Sequence, residues 1–321
     1  MLTPRPLTAS LLLPALLVPV LLALSPLPLS ADRQVKRSRP PARWDSHTER
    51  LFQTDPLEML EGPRPAGGPT PSGNTDGPGS PPAPNHRPPG TFAWSDVVSA
   101  AAITNEIKDL KLDVAENVRS PAVFKAGGNR KLRRHYSVIA VMFGMAAEFD
   151  QDVRWKELAP AARDSFARAA RNAKAADTNT FRECKDRSED LDELIRGGSV
   201  EFDPPQEKVL WSDVSERRPL MDRLKVAHET RLKPWTASQG EFEKNLPQIR
   251  HEAEILAALA EVIKHAEYEF YDDDVYVEYC TDMQQQAAAI SQAAKDKNLD
   301  EAQRAVGEIS KVCSECHEGY R

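Results

Sequence analysis

The sequence predicts an all-α protein, built as two tandem antiparallel four-helix bundles that follow a signal peptide and a Pro-rich linker. Of the 26 prolines in the 321 residues, 19 lie before residue 92, so long helices are expected only beyond that point. There the chain becomes rich in Ala, Glu, Lys and Leu, and no convincing strand-like alternation appears. Apolar residues recur at helical spacing instead, as in the stripe of Met283, Ala287, Ile290 and Ala294.

The first 31 residues carry the features of an export signal. They contain one charge, Arg5, then a Leu-rich run from Leu11 to Ala31 that ends in small residues. The alternative is an uncleaved membrane anchor through residues 8–29, because the apolar run approaches the length of a span. Four prolines within the run disfavour a stable spanning helix. In both cases we expect the bulk of the protein to be exported, most simply to a periplasm.

Residues 32–90 are predicted to be a disordered linker. The stretch from Pro63 to Gly90 is dominated by Pro and Gly, shows no apolar periodicity and cannot bury a core. We expect this segment to behave as a semi-extended tether ahead of the helical body.

The chain beyond residue 90 contains an internal repeat. The motif "WSDV" occurs at Trp94 and at Trp211, and "EFDQDV" from Glu148 resembles "EFYDDDV" from Glu269. A third pair, "NAKAADTNTF" and "AAKDKNLDEA", has a similar offset. The repeat predicts one bundle over residues 91–200 and a second over 205–321. In the second bundle we expect helices near residues 214–232, 246–268, 274–297 and 299–319.

The chain ends in "CSECHEGYR", which contains the Cys-x-x-Cys-His spacing that attaches haem covalently. In such a site Cys313 and Cys316 form thioethers with the haem vinyl groups, and His317 is the proximal iron ligand. On a helix these residues share one face. A zinc site would need a fourth ligand, and a thioredoxin-like dithiol normally follows a βαβ pattern. The motif therefore predicts one covalent haem c per chain.

From Trp211 to its end the chain resembles the cytochrome c′ family of haem-carrying four-helix bundles. The resemblance is strongest in the last nine residues. In that family the haem motif lies on the last helix, and an aromatic residue and then an arginine follow it. Tyr320 and Arg321 occupy those two places. The resemblance implies that Arg321 lies near the proximal face of the haem; a frayed surface arginine is the alternative.

The same resemblance addresses the sixth iron position. In relatives an arginine on the first helix precedes the distal residue by four positions, and "RRPLM" gives Arg217 and Met221 that spacing. This implies Met221 as the iron ligand and Arg217 as the partner of a haem propionate. Met221 as ordinary core filling remains open, and His228 is a weaker alternative ligand. Pro219 departs from the family pattern and would shift the start of this helix.

The first copy is predicted to be haem-free. The residues "DELIR", from Asp192 to Arg196, stand where "CSECH" stands in the second copy, and they include no cysteine or histidine. Thr104 takes the place of Met221. We therefore expect the first bundle to be a scaffold or docking half.

Cys184 and Cys280 remain outside the motif. Each is predicted to be a small buried residue, because each lies on an apolar helix stripe. A disulfide between the two bundles is the alternative in an oxidising compartment.

These observations predict an exported mono-haem cytochrome that transfers single electrons to a redox partner protein, and not an enzyme. Two alternatives remain: a five-coordinate protein that binds NO or CO, and an interaction protein in which haem is structural. The formal net charge of −7 argues against nucleic-acid binding. The acidic, aromatic run from Glu267 to Tyr279 is expected to be an interhelix corner or a contact surface for the partner. By the resemblance, a homodimer is also expected.

Overall fold

The computed structural model describes residues 92–320. The predicted signal peptide or anchor, the linker and Arg321 lie outside the described residues. Within them the chain is helical and contains no strand, which confirms the predicted fold class. No helix among residues 92–320 is long and apolar enough to cross a membrane.

The first half of the described chain contains four principal helices. Two of them begin where a side chain satisfies a free backbone N–H group: Ser99 accepts a hydrogen bond from the amide of Ala102, and Asp177 accepts one from the amide of Thr180. The last helix ends at Gly197, whose φ of 91° is the left-handed conformation common at helix ends. The bounds are Ala100–Asn117 (α1), Asn129–Glu148 (α2), Ala159–Asn172 (α3) and Thr178–Arg196 (α4).

The second half also contains four principal helices. Its first helix continues beyond its regular part through a π-helical segment, Val226–Leu232, and a last turn, Lys233–Trp235. Asn298 caps the last helix by accepting a hydrogen bond from the amide of Glu301. The bounds are Arg217–Lys225 (α5), Leu246–Val262 (α6), Asp274–Asp296 (α7) and Leu299–Gly319 (α8).

The expected helix positions in the second half agree with the structure within one residue except at three ends, and one of these is the end of the first helix, which continues to Trp235. The first expected helix, 214–232, begins later, at Arg217, because Trp211–Val214 forms a separate short helix and Ser215 is extended. Pro219 lies in the first turn of α5, where a missing N–H costs little. The second expected helix, 246–268, ends earlier, at Val262.

The two halves pack directly against each other in a reciprocal pattern. Helix α1 contacts α6, while α2 contacts α5. The rings of Trp94 and Trp211, which come from the two "WSDV" motifs, meet edge-to-face with centroids 5.4 Å apart. Gly144 makes room for this contact, since a Cβ there would lie 3.0 Å from the Trp211 ring. Reciprocal contacts between corresponding residues are what a two-fold pair of similar units would make. The duplication itself and the boundary between the bundles stay predictions.

Candidate cofactor site

A cavity of about 530 Å³ lies in the second half, between α5, α7 and α8. Its volume is in the range of small-molecule and cofactor sites. Basic side chains at Arg218, Lys225 and Lys233 border it. The other lining residues used below are Met221, Leu224, His228, Ile263, Tyr276, Cys280, Met283, Ser310, Cys313, Cys316 and His317.

The three residues of the haem-attachment motif meet at this cavity. They lie near the end of α8, and their spacing places them on one face. Cys316 is buried, Cys313 is half-buried and His317 is exposed. Both cysteines are free thiols. The structure therefore brings together the residues that the motif predicted, with two thiols directed toward one enclosed space.

The surroundings favour neutral thiols at this motif. Burial raises the pKa of Cys313 to about 11, and burial also raises the pKa of Cys316. Thioether formation adds neutral S–H groups across carbon–carbon double bonds. The two thiols are thus in the protonated form that covalent attachment consumes.

Two methionines line the cavity. Met221 lies on α5, where the sequence placed a candidate iron ligand, and is partly buried. Met283 lies on α7 and is buried. The sequence places Met283 and Cys280 on one apolar stripe of α7 but does not indicate that this stripe borders a cavity.

The ring of His228 makes polar contacts within the second half. The ring is buried, and its Nε2 atom lies 3.2 Å from the carbonyl oxygen of Val306 and 3.0 Å from Oγ of Ser310. Burial lowers the pKa of this histidine. These contacts join the π-helical segment after α5 to α8 and occupy Nε2, one of the two ring nitrogens that could bind a metal. They favour Met221 over His228 as the candidate ligand.

Arg217, the predicted propionate partner, lies next to the cavity but not among its lining residues. One of its nitrogens, Nη2, donates to Oε2 of Glu269 at 3.2 Å. Its guanidinium lies over the ring of Phe270, 5.0 Å from the centroid. The other terminal nitrogen, Nη1, is buried and has no hydrogen-bond partner among the described residues. Arg218, the next residue, lines the cavity itself.

An aromatic cluster holds the end of α8. Tyr320 packs edge-to-face against Phe270 and Tyr276, with centroids 5.1 Å and 5.4 Å away, and it also contacts Tyr279. Part of the run from Glu267 to Tyr279 is therefore the corner between α6 and α7 on which the C-terminus rests. These contacts fix the helical turn that carries Cys316 and His317. Arg321 lies outside the described residues.

The corresponding positions of the first half are built differently. Asp192 on α4 forms ion pairs with Lys111 and Arg196, and the hydroxyl of Thr104 donates to the carbonyl oxygen of Ala100. Cys184 and Cys280 are both buried, as predicted, and both are free thiols. The alternative of a disulfide between the halves is therefore not what the structure shows.

Comparison with known proteins points to one family. Residues 261–321 match the family model described as Cytochrome C′. The matched range contains α7, α8 and the attachment motif, and it includes both Tyr320 and Arg321. No curated protein and no solved structure matched the chain.

That family implies covalently bound haem c, and the residues of the cavity fit such a group. Two free thiols face a space of suitable volume, an imidazole follows the second thiol, and apolar side chains line part of the wall. The unpartnered Nη1 of Arg217 is a buried donor that a carboxylate would satisfy. In its residues 261–321 the chain therefore resembles the cytochrome c′ family of c-type haem proteins, as its last residues predicted.

Proposed function

We propose that the protein is an exported c-type cytochrome that carries one haem per chain and transfers single electrons. The observation that supports this proposal is the meeting of Cys313, Cys316 and His317 with Met221 at one cavity. Met221 comes from a helix about ninety residues earlier in the chain. Proteins of the matched family are typically exported, which agrees with the predicted signal segment.

In this proposal each residue has one role. Cys313 and Cys316 would hold haem through thioether bonds, so that it could not dissociate, and His317 would be an iron ligand. Met221 would be the second iron ligand. Bound haem supplies the one-electron change at iron, and the chain controls its surroundings. Leu224 and Ile263 keep part of the cavity wall apolar. An apolar wall and a methionine sulfur as iron ligand both raise the reduction potential of a haem.

A five-coordinate protein that binds NO or CO is the second candidate. The observation that favours it is the character of the wall near Met221, where Leu224 and Ile263 offer no hydrogen-bonding side chain. An apolar pocket with no sixth ligand admits a small gas directly to the iron. The two candidates differ only in whether the sulfur of Met221 reaches the metal.

The attachment is tested by a pyridine haemochrome assay on denatured protein. Wild-type protein is expected to retain one haem per chain, and the double variant Cys313→Ala/Cys316→Ala is expected to retain none. Cys184→Ala is the matched control, since it removes a buried thiol far from the motif. Haem that stays bound to the double variant after denaturation would show that the attachment site has been assigned incorrectly.

Electron transfer is distinguished from gas binding by the optical spectrum of the wild type with and without CO. A low-spin spectrum with a weak methionine–iron band at long wavelength, unchanged by CO, supports electron transfer. A high-spin spectrum that changes rapidly on addition of CO favours the second candidate. Both outcomes are independent of the attachment assay.

A further inference from the structure

A concentration of positive charge lies at the junction of the two halves. Two adjoining clefts, of about 450 Å³ and about 390 Å³, share Arg130, Arg134 and Asp222 among their lining residues. We call this pair of clefts the arginine cleft. Its charged lining is completed by Lys131, Arg133 and Arg218. Five basic side chains thus face one acidic side chain, in a chain whose formal net charge is −7.

Most of this positive charge has no partner among residues 92–320. Arg133 pairs with Glu216, a carboxylate that it shares with Lys174. The side chains of Arg130, Lys131, Arg134 and Arg218 form no ion pair with a described carboxylate. Elsewhere the chain pairs arginines such as Arg168 and Arg304, but the exposed Arg182 also has no carboxylate partner among the described residues. What distinguishes the cleft is that four unpaired basic side chains line one concave space.

The wall of the cleft depends on two glycines. The chain kinks at Gly127, between a short turn and α2, and the φ of Gly127 is 118°, a left-handed conformation that favours glycine. A Cβ on Gly128 would lie 2.9 Å from the carbonyl oxygens of Asn117 and Val123. Glycine thus lets the end of α1 approach the start of α2, on which Arg130 and Arg134 lie.

The electrostatics of the arginine cleft favours the binding of an anion. Several cations around one concave space repel one another, and an anion between them relieves the repulsion. The guanidinium group matches carboxylate and phosphate oxygens in a two-point geometry. A small volume, in a protein of net negative charge, suits a compact ligand better than a nucleic acid.

We propose that the arginine cleft binds a compact anion carrying at least two negative charges, either a phosphate ester or a polycarboxylate. The site uses arginines from both halves, since Arg130 and Arg134 lie on α2 and Arg218 lies on α5. The first half, which has no haem-attachment motif, thereby acquires a binding role. Arg218 and Asp222 line the cofactor cavity as well, so the bound anion lies beside it.

Isothermal titration calorimetry on the full chain, isolated with its haem, tests the proposal. Pyrophosphate and citrate are the probes, at an ionic strength held constant with sodium chloride. We expect one site per chain for at least one probe, and about tenfold weaker binding in Arg134→Gln and in Arg130→Gln. The probe that binds more tightly identifies phosphate or carboxylate as the natural chemistry.

Arg182→Gln is the matched control, because Arg182 is an exposed arginine on α4 away from the cleft. Its binding constant is expected to equal that of the wild type. An equal loss in Arg182→Gln would reveal only general charge attraction and would overturn the proposal. The absence of binding by both probes would also overturn it, because the cleft would then be filled or neutralised by the protein or its own cofactor. Neither outcome bears on the haem-attachment assay.

Discussion

Arg223 holds Glu106 in a two-point ion pair across the junction of the two halves. Nε of Arg223 donates to Oε1 of Glu106 at 2.7 Å, and Nη2 donates to Oε2 at 2.8 Å. Arg223 also donates to Glu252 from Nη1, at 2.7 Å, and all three side chains are almost fully buried. Burial alone would raise the pKa of Glu106, but Arg223 and a hydrogen bond from His251 outweigh burial and hold that pKa well below its usual value.

Replacing Arg223 with methionine is expected to lower the free energy of unfolding by about 3–5 kcal/mol, because two buried carboxylates lose their main counterion. Urea unfolding followed by circular dichroism measures the loss. Arg304→Met is the matched control: its ion pair with Glu301 is solvent-exposed, and its removal is expected to cost less than about 1 kcal/mol. Equal losses in the two variants would contradict the assignment of Arg223 as the central charge of the junction.

His135 is expected to make stability depend on pH. Burial, reinforced by the nearby charge of Arg134, lowers the pKa of His135 to about 4. In the unfolded chain the group titrates near 6.5, so between these values the unfolded state binds the proton more tightly than the folded state. The contribution of neutral His135 to the free energy of unfolding is therefore fully present above pH 6.5 and is lost as the pH falls toward 4.

The stability difference between wild type and His135→Gln should change by roughly 3 kcal/mol across that window, with the wild type losing more on acidification. Urea titrations at several pH values between 4 and 7 measure this change. Glu106 titrates in both proteins, so its contribution cancels in the comparison. Parallel stability curves would show that His135 does not carry the effect.

The two methionines of the cavity can be separated by parallel substitutions. Met221→Leu is expected to abolish the long-wavelength methionine–iron band and to open the iron to CO, because leucine keeps the volume but offers no sulfur. Met283→Leu is expected to leave both properties unchanged. Optical spectra of the two oxidised proteins, and CO titrations of the reduced ones, measure the difference. Loss of the band in Met283→Leu alone would transfer the ligand role to α7.

Two glycines should respond to alanine with opposite signs. Gly128→Ala is expected to destabilise the protein by about 1–3 kcal/mol, since the new methyl group would meet two backbone carbonyl oxygens at 2.9 Å. Gly307→Ala lies within α8 with open space around it, and it is expected to stabilise by about 0.5–1 kcal/mol through helix propensity. Thermal unfolding of both variants gives the comparison. A neutral Gly128→Ala would mean that the two carbonyls can move apart at little cost.

The parts of the site that sequence alone predicts are those fixed by local spacing. Cys313, Cys316 and His317 are neighbours on one helix, so their shared face follows from the helical repeat. The bounds of α7 and α8 agree within one residue with the expected helices at 274–297 and 299–319, and in the structure Asp273 and Asn298 cap their starts.

Features that depend on packing between distant segments could not be read from the sequence. Met283 reaches the cavity because α7 packs against both α6 and α8, and the sequence does not indicate which residues of the α7 stripe then border a cavity. Nothing in the sequence links Arg223 to Glu106, 117 residues earlier, and only the packing of the two halves brings them together. Arg217 has the expected spacing from Met221, but its contacts with Glu269 and Phe270 hold its side chain beside the cavity and not in its lining.

The reciprocal packing of α1 on α6 and of α2 on α5 has a consequence for stoichiometry. Two separate subunits meet only at a rate set by their concentration, whereas two halves of one chain remain at a high effective concentration however dilute the protein is. Two identical subunits would also carry identical sites. A fused pair in which one half alone has the Cys-x-x-Cys-His motif is asymmetric in every molecule, so each pair offers one attachment motif and one half without it.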